Sequence, residues 1–406
     1  MTMVSSEAST TRAPRAALGI GRARRRVRVV WRRARRASRR HPRAASVTVA
    51  LLLLVLVNVV LQTQRRALDL ASDDFWGLRR VQQCESLGRA PDVLYLGSSR
   101  TVYGVDAALI DARDQQRGAE TLGCNAATVG STLEQDYYTL KRMIEDGKAP
   151  RLVVETLWEW NLNTQAARPA DDAVDHFEQV LRLADLGDLP QLKERFGSGA
   201  NDSSSAVDFA LGKLVPMYGD RTGILRRLCG PARVGPCGEN TSRLDPVMQR
   251  LYPTAHRQGW LPAPSQPISS LSSDELAQAE HSWTYLHDQV KDFTIGGAQP
   301  GYLERLLALA RAHHIQVALV MTPLDSMYFS YFDSPADWPR IVAYWRAVAE
   351  RAGVPLYDES HDASFTHQDF ADPQHLSVHG ALRFSNWLAD HVVGPTLHPT
   401  TTALRR

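Results

Sequence analysis

The sequence predicts an α/β fold built on a doubly wound parallel sheet, preceded by one membrane-spanning helix and interrupted by a largely helical insertion. Apolar runs short enough to be buried strands recur along the chain, and amphipathic segments of helical length separate them. This alternation is typical of a parallel sheet covered by helices on both faces. With 44% hydrophobic and 22% charged residues among 406, the composition is ordinary for a globular protein and names no function by itself.

The N-terminal arm, residues 1–43, is rich in arginine, and the net charge of +3 conceals that the remainder of the chain is acidic. Ala44 to Gln62 follow without a charged side chain, and these 19 residues can span a hydrocarbon core of about 30 Å as a helix. The arginine excess before the span predicts a cytoplasmic N-terminus, with residues 63–406 extracytoplasmic. We therefore expect a single-pass protein of the cell membrane.

We expect the arm itself to be disordered and attracted to the anionic headgroups of the lipid bilayer. An arginine-rich arm can also bind nucleic acid, but the apolar run directly after it argues against that partner. A cleaved signal peptide would have a shorter n-region and an A-x-A-like cleavage site, which the sequence lacks, and a twin-arginine signal is the weaker alternative for the apolar run.

Four apolar runs are predicted to be strands. They are VLYLG (Val93–Gly97), RLVVETL (Arg151–Leu157), IQVALVMTP (Ile315–Pro323) and VPLYD (Val354–Asp358). The last three each follow a predicted helix, and these helices are TLEQDYYTLKRMIEDG, PGYLERLLALARAHH and DWPRIVAYWRAVAERAG. From about Ala166 to about Gln299 the alternation stops, which predicts a largely helical insertion between the second and third of these strands.

The four cysteines suit an oxidising compartment outside a membrane, where an even count permits two disulfides. Cys229 and Cys237 bracket a Gly/Pro-rich loop that could close easily, which leaves Cys84 to pair with Cys124. Four buried free thiols are the alternative. Because the sequence contains no CxxC pair and no Cys/His cluster with metal-ligand spacing, we expect no metal site.

The stretch PDVLYLGSSRT, Pro91–Thr101, leads a predicted strand into a glycine and two serines. Such residues ordinarily end strands, but a serine at the carboxyl end of a parallel strand also lies where α/β folds bind ligands. Near the C-terminus, Asp372 and His375 are three residues apart at a predicted helix start. The carboxylate could steady one imidazole nitrogen while the other accepts a serine proton. A helix-capping aspartate beside a surface histidine is the alternative.

In this order, GSS after the first strand, CNAATVGST beyond it, a strand-ending TP and the late DPQHLS resemble the SGNH (GDSL-like) hydrolases. More narrowly, they resemble the membrane-anchored branch that includes the teichoic-acid D-alanylation protein DltD and polysaccharide O-acetylation proteins. The resemblance covers roughly Pro91–Thr156 and Ile315–Val393. It implies a flavodoxin-like doubly wound sheet and a membrane-anchored serine esterase or O-acyltransferase acting on acyl esters of a cell-envelope glycan or polymer.

The resemblance implies a catalytic triad of Ser99 as nucleophile, His375 as general base and Asp372 as orienting acid. Ser98, which stands where the family usually has aspartate, is the alternative nucleophile. Gly130 and Ser99 match the family's positions for the backbone N–H groups of the oxyanion hole.

Other expectations concern substrate and partners. The family's third block, Gly-x-Asn-Asp, is not recognisable, and Glu159 or Asn161 of WEWNLN is expected to approach the site instead. Arg100 could bind an anionic substrate, although it could equally be a surface residue. We expect no cofactor; the resemblance implies an envelope glycan or acylated polymer as ligand and a membrane-bound O-acyltransferase as partner. A non-catalytic glycan-binding or scaffolding component with the same fold is the alternative function.

Overall fold

The computed structural model describes residues 42–64, 76–172, 174–196, 206–219 and 258–399. The chain divides into two compact units, Met1–Leu68 and Asp69–Arg406. In the first unit the described residues form one helix, Pro42–Gln64, which includes the predicted membrane-spanning segment and exposes its valine and leucine side chains from Val47 to Val60. No helix among the described residues combines the length and hydropathy that crossing a membrane requires.

The described helices are numbered in chain order. They are α1 (Pro42–Gln64), α2 (Trp76–Glu85), α3 (Ser99–Gly104), α4 (Ala107–Gln116), α5 (Leu133–Glu145), α6 (Val174–Leu183), α7 (Leu189–Leu192), α8 (Ala206–Leu214), α9 (Pro216–Gly219), α10 (Ser273–Ser282), α11 (Tyr285–Val290), α12 (Gln299–Ala312), α13 (Asp337–Ala352), α14 (Val378–Leu388) and α15 (Gly394–Leu397).

The second unit is organised around a five-stranded sheet with the order β2-β1-β3-β4-β5. Its strands are β1 (Val93–Leu96), β2 (Gly123–Asn125), β3 (Leu152–Thr156), β4 (Gln316–Met321) and β5 (Leu356–Asp358). All neighbouring pairs are parallel. This is the flavodoxin-like order, in which the chain changes direction between β1 and β3. The predicted α/β fold with a parallel sheet is therefore confirmed.

Four of these strands coincide with the predicted runs, and β2 is the addition. Its sequence, Gly-Cys-Asn, is three residues long and lacks the β-branched side chains that mark a strand. It pairs with β1 in register from Val93 with Gly123 to Tyr95 with Asn125. Every residue of β1, β2 and β3 is buried, as expected for strands covered on both faces.

The helices form two groups that pack among themselves. One group contains α2, α5, α6 and α12, and the other contains α3, α4 and α14. Right-handed crossovers from β1 to β2 and from β2 to β3 run in opposite directions along the sheet, so they place these groups on opposite faces. Local signals set the helix ends: Thr132 caps α5 by accepting from the Gln135 N–H, and Gly353 ends α13 in the left-handed conformation.

Between β3 and β4 the described residues carry the seven helices α6 to α12 and no strand of the sheet, and the first six of these helices lie within the insertion. This agrees with the helical character expected for the insertion at about 166–299, although residues 220–257 lie outside the described part. An isolated antiparallel bridge between Asn163 and Ile295 joins the two ends of this segment.

A disulfide joins Cys84 at the end of α2 to Cys124 in β2, with their Cα atoms 5.6 Å apart. The disulfide links α2 to β2, the strand at one edge of the sheet. This pairing is one of the two that the sequence predicted. Cys229 and Cys237, the other predicted pair, lie outside the described residues.

After β5 the chain forms a small antiparallel hairpin before α14. Its strands are β6 (Phe370–Asp372) and β7 (His375–Leu376), and Asp372 pairs with His375 across the turn. The hairpin contacts α3, which begins directly after β1. The β6–β7 hairpin thus lies at the carboxyl edge of the sheet, where Ser98 and Ser99 follow β1.

Candidate active site

The nucleophile loop, defined here as residues 97–99, connects β1 to α3. Gly97 has a φ angle of 129°, and a Cβ atom there would overlap the hydroxyls of Thr156 and Thr101. Glycine is therefore required for the chain to turn sharply at this point. Ser98 precedes the first turn of α3 and Ser99 is its first residue. Ser99 is 7% exposed, so it is largely shielded from solvent.

Ser99, His375 and Asp372 form a continuous hydrogen-bonded chain. The His375 Nε2 atom lies 2.7 Å from the Ser99 hydroxyl, and the His375 Nδ1 atom lies 2.7 Å from Asp372 Oδ2. In the tautomer with the proton on Nδ1, histidine donates to the carboxylate and accepts from the serine. This arrangement allows the imidazole to take the hydroxyl proton as Ser99 attacks a carbonyl carbon.

The turn of the β6–β7 hairpin presents the carboxylate to the imidazole. Asp372 Oδ1 accepts the backbone N–H groups of Gln374 and His375, each at 3.0 Å, which leaves Oδ2 for the imidazole. Burial by itself would raise the pKa of Asp372, but the positive field of His375 and these hydrogen bonds outweigh it, so the pKa is lowered. The carboxylate therefore stays ionised and can stabilise an imidazolium.

Tyr103 of α3 packs against the histidine. Its ring meets the His375 ring edge to face, with centroids 5.4 Å apart. Because Ser99 and Tyr103 lie four residues apart on one short helix, α3 supplies both the Ser99 hydroxyl and the aromatic ring that limits rotation of the His375 imidazole.

The oxyanion turn, defined here as residues 128–131, lies beside the nucleophile loop. Thr128 N–H donates to the Gly97 carbonyl at 3.1 Å, and Gly130 has a φ angle of 70°. At the first position of α3, the Ser99 N–H precedes the first intrahelical hydrogen bond and is thus suited to bind an anion. The structure brings both predicted donor segments, Ser99 and Gly130, to one edge of the sheet. That their N–H groups form an oxyanion hole stays a prediction.

Arg100 does not bind substrate in the way the sequence suggests. Its side chain is 3% exposed and makes two hydrogen bonds to Glu159, at 2.8 and 2.6 Å. Its guanidinium also lies 5.0 Å from the ring centre of Tyr328, whose hydroxyl donates to the same carboxylate. We correct the prediction accordingly: a buried guanidinium already neutralised by a carboxylate holds the neighbouring loops together and is not available to an anionic ligand.

The Arg100–Glu159 pair also reaches the β6–β7 hairpin. Arg100 Nη2 lies 3.5 Å from Gln374 Oε1, and the Gln374 amide donates to the Tyr285 hydroxyl of α11 at 3.0 Å. Gln374 stands between Asp372 and His375 in the chain. Arg100 of α3 and Tyr285 of the insertion therefore both contact the turn between β6 and β7, next to His375.

Other candidate residues occupy different places. Asn161 lies in a 3₁₀ turn, Glu159–Leu162, is 5% exposed, and its side-chain oxygen has no hydrogen-bond partner among the described residues. Its role in substrate binding stays a prediction. The Ser98 hydroxyl is buried and likewise has no partner in the described part of the chain, so the geometry favours Ser99 as nucleophile. His379 pairs with Asp369 at 2.8 Å, away from Ser99.

Sequence reasoning missed the residues that support the site from below. Asn125 donates to the carbonyls of Thr101 and Val105 at 2.8 and 2.9 Å, which fastens α3 to the sheet. Asp136 and Glu155 lie buried beneath the nucleophile loop. A glutamate inside the apolar run RLVVETL was the available signal, since charged residues are rarely fully buried without a partner.

Within the described ranges no group of three or more histidine, cysteine or acidic side chains is arranged to hold a metal ion. The groups that the site brings together are a hydroxyl and an imidazole joined by a hydrogen bond, with backbone N–H groups nearby.

Comparisons with known proteins add little to this geometry. No protein-family model matches the chain, and no curated protein matches it. Among solved structures, the chain is similar to a crystal structure from Bacteroides fragilis described as a "putative acylhydrolase", with 14% sequence identity and a TM-score of 0.33 over 80% of this chain and 99% of that one. At this identity and TM-score the likeness carries no argument about activity, so the function has to be argued from the site.

Proposed function

We propose that the protein is a serine esterase or O-acyltransferase of the SGNH type. The observation that carries the proposal is the hydrogen-bonded chain from Ser99 through His375 to Asp372, with both links at 2.7 Å. A serine hydroxyl is a weak nucleophile until an oriented base accepts its proton, and this geometry supplies such a base.

In the proposed reaction His375 Nε2 takes the proton of Ser99 as its oxygen bonds to the ester carbonyl carbon. Asp372 stabilises the imidazolium, and the N–H groups of Ser99 and Gly130 are the proposed donors to the oxyanion. As the carbon–oxygen bond to the leaving alcohol breaks, His375 returns the proton to that alcohol, which leaves an acyl-enzyme on Ser99. Water or a second hydroxyl then resolves the acyl-enzyme by the reverse steps, giving hydrolysis or transfer respectively.

The proposals for the substrate, the partner and the membrane topology rest on the sequence. Acyl esters of a cell-envelope glycan or polymer are the proposed substrates, and a membrane-bound O-acyltransferase is the proposed partner, because the site motifs resemble the membrane-anchored SGNH branch. The uncharged run Ala44–Gln62 behind an arginine-rich arm supports single-pass anchoring with the site outside. Protease treatment of intact cells tests this topology, since protection of the second unit would contradict it.

Covalent labelling with a fluorophosphonate probe tests the chemistry. We expect the full-length protein to be labelled and Ser99→Ala to lose the label. Ser98→Ala is the matched control, because it removes a neighbouring hydroxyl that has no hydrogen-bond partner among the described residues, and it should be labelled like the wild type. A folded wild-type protein that takes no label would refute the proposal and leave the non-catalytic glycan-binding or scaffolding role.

A further inference from the structure

Two carboxyl groups with no place in the proposed reaction lie buried beneath the nucleophile loop. Asp136 stands on α5 and Glu155 on β3, and they are 3% and 0% exposed. The sheet register sets Glu155 beside Leu96, the last residue of β1, so the pair lies directly under the point where the chain turns toward Ser99. Acidic side chains this deeply buried have a large desolvation cost and require a physical explanation.

Asp136 is hydrogen-bonded to both segments that form the proposed site. It accepts the Ser131 hydroxyl at 2.7 Å, and Ser131 directly follows Gly130 in the oxyanion turn. It also accepts the backbone N–H of Gly97 in the nucleophile loop. The Gly97 carbonyl in turn accepts the Thr128 N–H at 3.1 Å. One carboxylate therefore connects the loop that carries the nucleophile with the turn expected to bind the oxyanion.

Glu155 can be satisfied only as a carboxylic acid. Neither of its side-chain oxygens has a donor within the described residues, so an ionised Glu155 would be a buried charge without a partner. Protonated, it can donate to Asp136, with which it is in hydrogen-bond contact. Donation from an acid to a carboxylate suits both groups, because Asp136 then accepts a third hydrogen bond and Glu155 carries no charge.

The electrostatics agree with this assignment. Burial raises the pKa of both groups, and the neighbouring Asp136 raises that of Glu155 further. Among the described residues, the ionisable group that faces each of these carboxyls is the other carboxyl. The Ser131 hydroxyl and the Gly97 N–H face Asp136 as neutral donors. No cation among the described residues offsets the pair, so it keeps a proton at neutral pH.

We propose that Glu155 and Asp136 share one proton and form a positioning pair that holds the nucleophile loop and the oxyanion turn in their reactive arrangement. The inference rests on the proposed function and deepens it by assigning Asp136 as a positioning residue, since it acts through Gly97 and Ser131 without touching substrate. Displacements of about 1 Å in such a site are sufficient to slow a reaction about 100-fold.

The two carboxyls respond differently to amide substitution, which makes the proposal testable. Glu155→Gln replaces the acid by a neutral amide that still donates to Asp136, so kcat for p-nitrophenyl acetate should stay close to the wild-type value. Asp136→Asn keeps one acceptor oxygen but puts an N–H₂ group in place of the other, so it can no longer accept from Ser131, Gly97 and Glu155 together. We therefore expect kcat and the rate of fluorophosphonate labelling to fall together, by about 10- to 100-fold, with little change in KM. A merely structural pair would not separate these variants in this way.

Glu134→Gln is the matched control, because Glu134 is a buried carboxyl on the same helix that faces Arg195 and Tyr302 and not the loop. We expect it to keep the wild-type kcat. Ser131→Ala, which removes a single hydrogen bond to Asp136, should lower kcat in the same direction as Asp136→Asn and serves where the latter fails to fold.

A second readout does not depend on activity. Infrared difference spectra between the wild type and Glu155→Gln at neutral pH should show the loss of a protonated carboxyl band. Absence of that band in the wild type, or a folded Asp136→Asn variant with wild-type kcat, would overturn the positioning pair. If Ser99 itself takes no label, the proposed function fails, and the infrared result still decides whether the two carboxyls share a proton.

Discussion

Asp372→Asn is the substitution that probes the hydrogen-bonded chain with the least disturbance of the fold. Asp372 Oδ1 accepts two backbone N–H groups at 3.0 Å, and an asparagine carbonyl can keep both bonds. At the position of Oδ2, however, an amide presents N–H donors to His375 Nδ1. The imidazole then holds its own proton on Nε2, and it cannot accept the proton of Ser99.

The expected loss follows from the geometry. Two unit charges separated by 2.7 Å, as in the His375–Asp372 contact, attract by about 6 kcal/mol at an effective dielectric constant of about 20. The Asp372 side chain is 21% exposed, so solvent screens part of this attraction. Because about 1.4 kcal/mol corresponds to a factor of ten in rate, we expect kcat to fall roughly 10³- to 10⁴-fold.

The assay is hydrolysis of p-nitrophenyl acetate by the full-length protein, with thermal unfolding measured in parallel to confirm that the variant is folded. Asp369→Asn is the matched control, since Asp369 also bonds a histidine, His379, at 2.8 Å but lies outside the chain to Ser99. It should keep most of the activity. A folded Asp372→Asn variant as active as the wild type, beside an inactive Ser99→Ala, would refute the reasoning, because His375 would then need no orienting acid.

Three further predictions concern stability. Arg100→Leu leaves Glu159 buried without its cation, so urea denaturation should show a loss of about 3–5 kcal/mol in unfolding free energy. Replacing Cys84 and Cys124 by alanine opens a loop with a sequence separation of 40, and the same measurement should show a loss of about 4 kcal/mol. Burial raises the pKa of Asp111 to about 7, so the folded state binds a proton there more tightly than the unfolded state does. The unfolding free energy should therefore decrease as pH rises from about 4 to about 7. Asp111→Asn should make the unfolding free energy less dependent on pH in this range.

Each of these has a contrasting outcome. If Arg100 were an anion ligand, Arg100→Leu would mainly raise KM and leave the unfolding free energy unchanged. Arg351→Leu, which breaks an exposed pair with Glu304, should change stability little. Equal stability of the reduced and oxidised wild type would contradict the role given to the disulfide. Burial also raises the pKa of Glu359 to about 7, so Glu359→Gln should remove a further part of the pH slope, and an unchanged slope in both variants would contradict the assignment.

Much of the fold could be predicted because its signals are local. The strands β1, β3, β4 and β5 are apolar runs of a few residues, and burial on both faces demands such runs wherever the chain crosses the sheet. β2 could not be predicted in this way. Gly-Cys-Asn has little strand preference of its own, and it becomes a strand because β1 lies beside it to accept its hydrogen bonds.

Some contacts of the candidate site could also be predicted from local sequence. A three-residue spacing in a tight turn was sufficient to predict that Asp372 steadies His375, since the contact lies within one hairpin. The ends of parallel strands share one edge of a sheet, which predicted that Ser99 would meet this turn from 276 residues away.

By itself the sequence determined which polar side chains to expect at the sheet edge, because two serines end a predicted strand and an aspartate and a histidine share a local turn. Only the tertiary structure decided what surrounds them. Arg100 reads as a free cation beside the nucleophile, yet the fold buries it against Glu159, and Asp136 meets Glu155 from a different element. The partner of a buried charge is chosen by which elements pack together, and no local pattern in the chain carries that information.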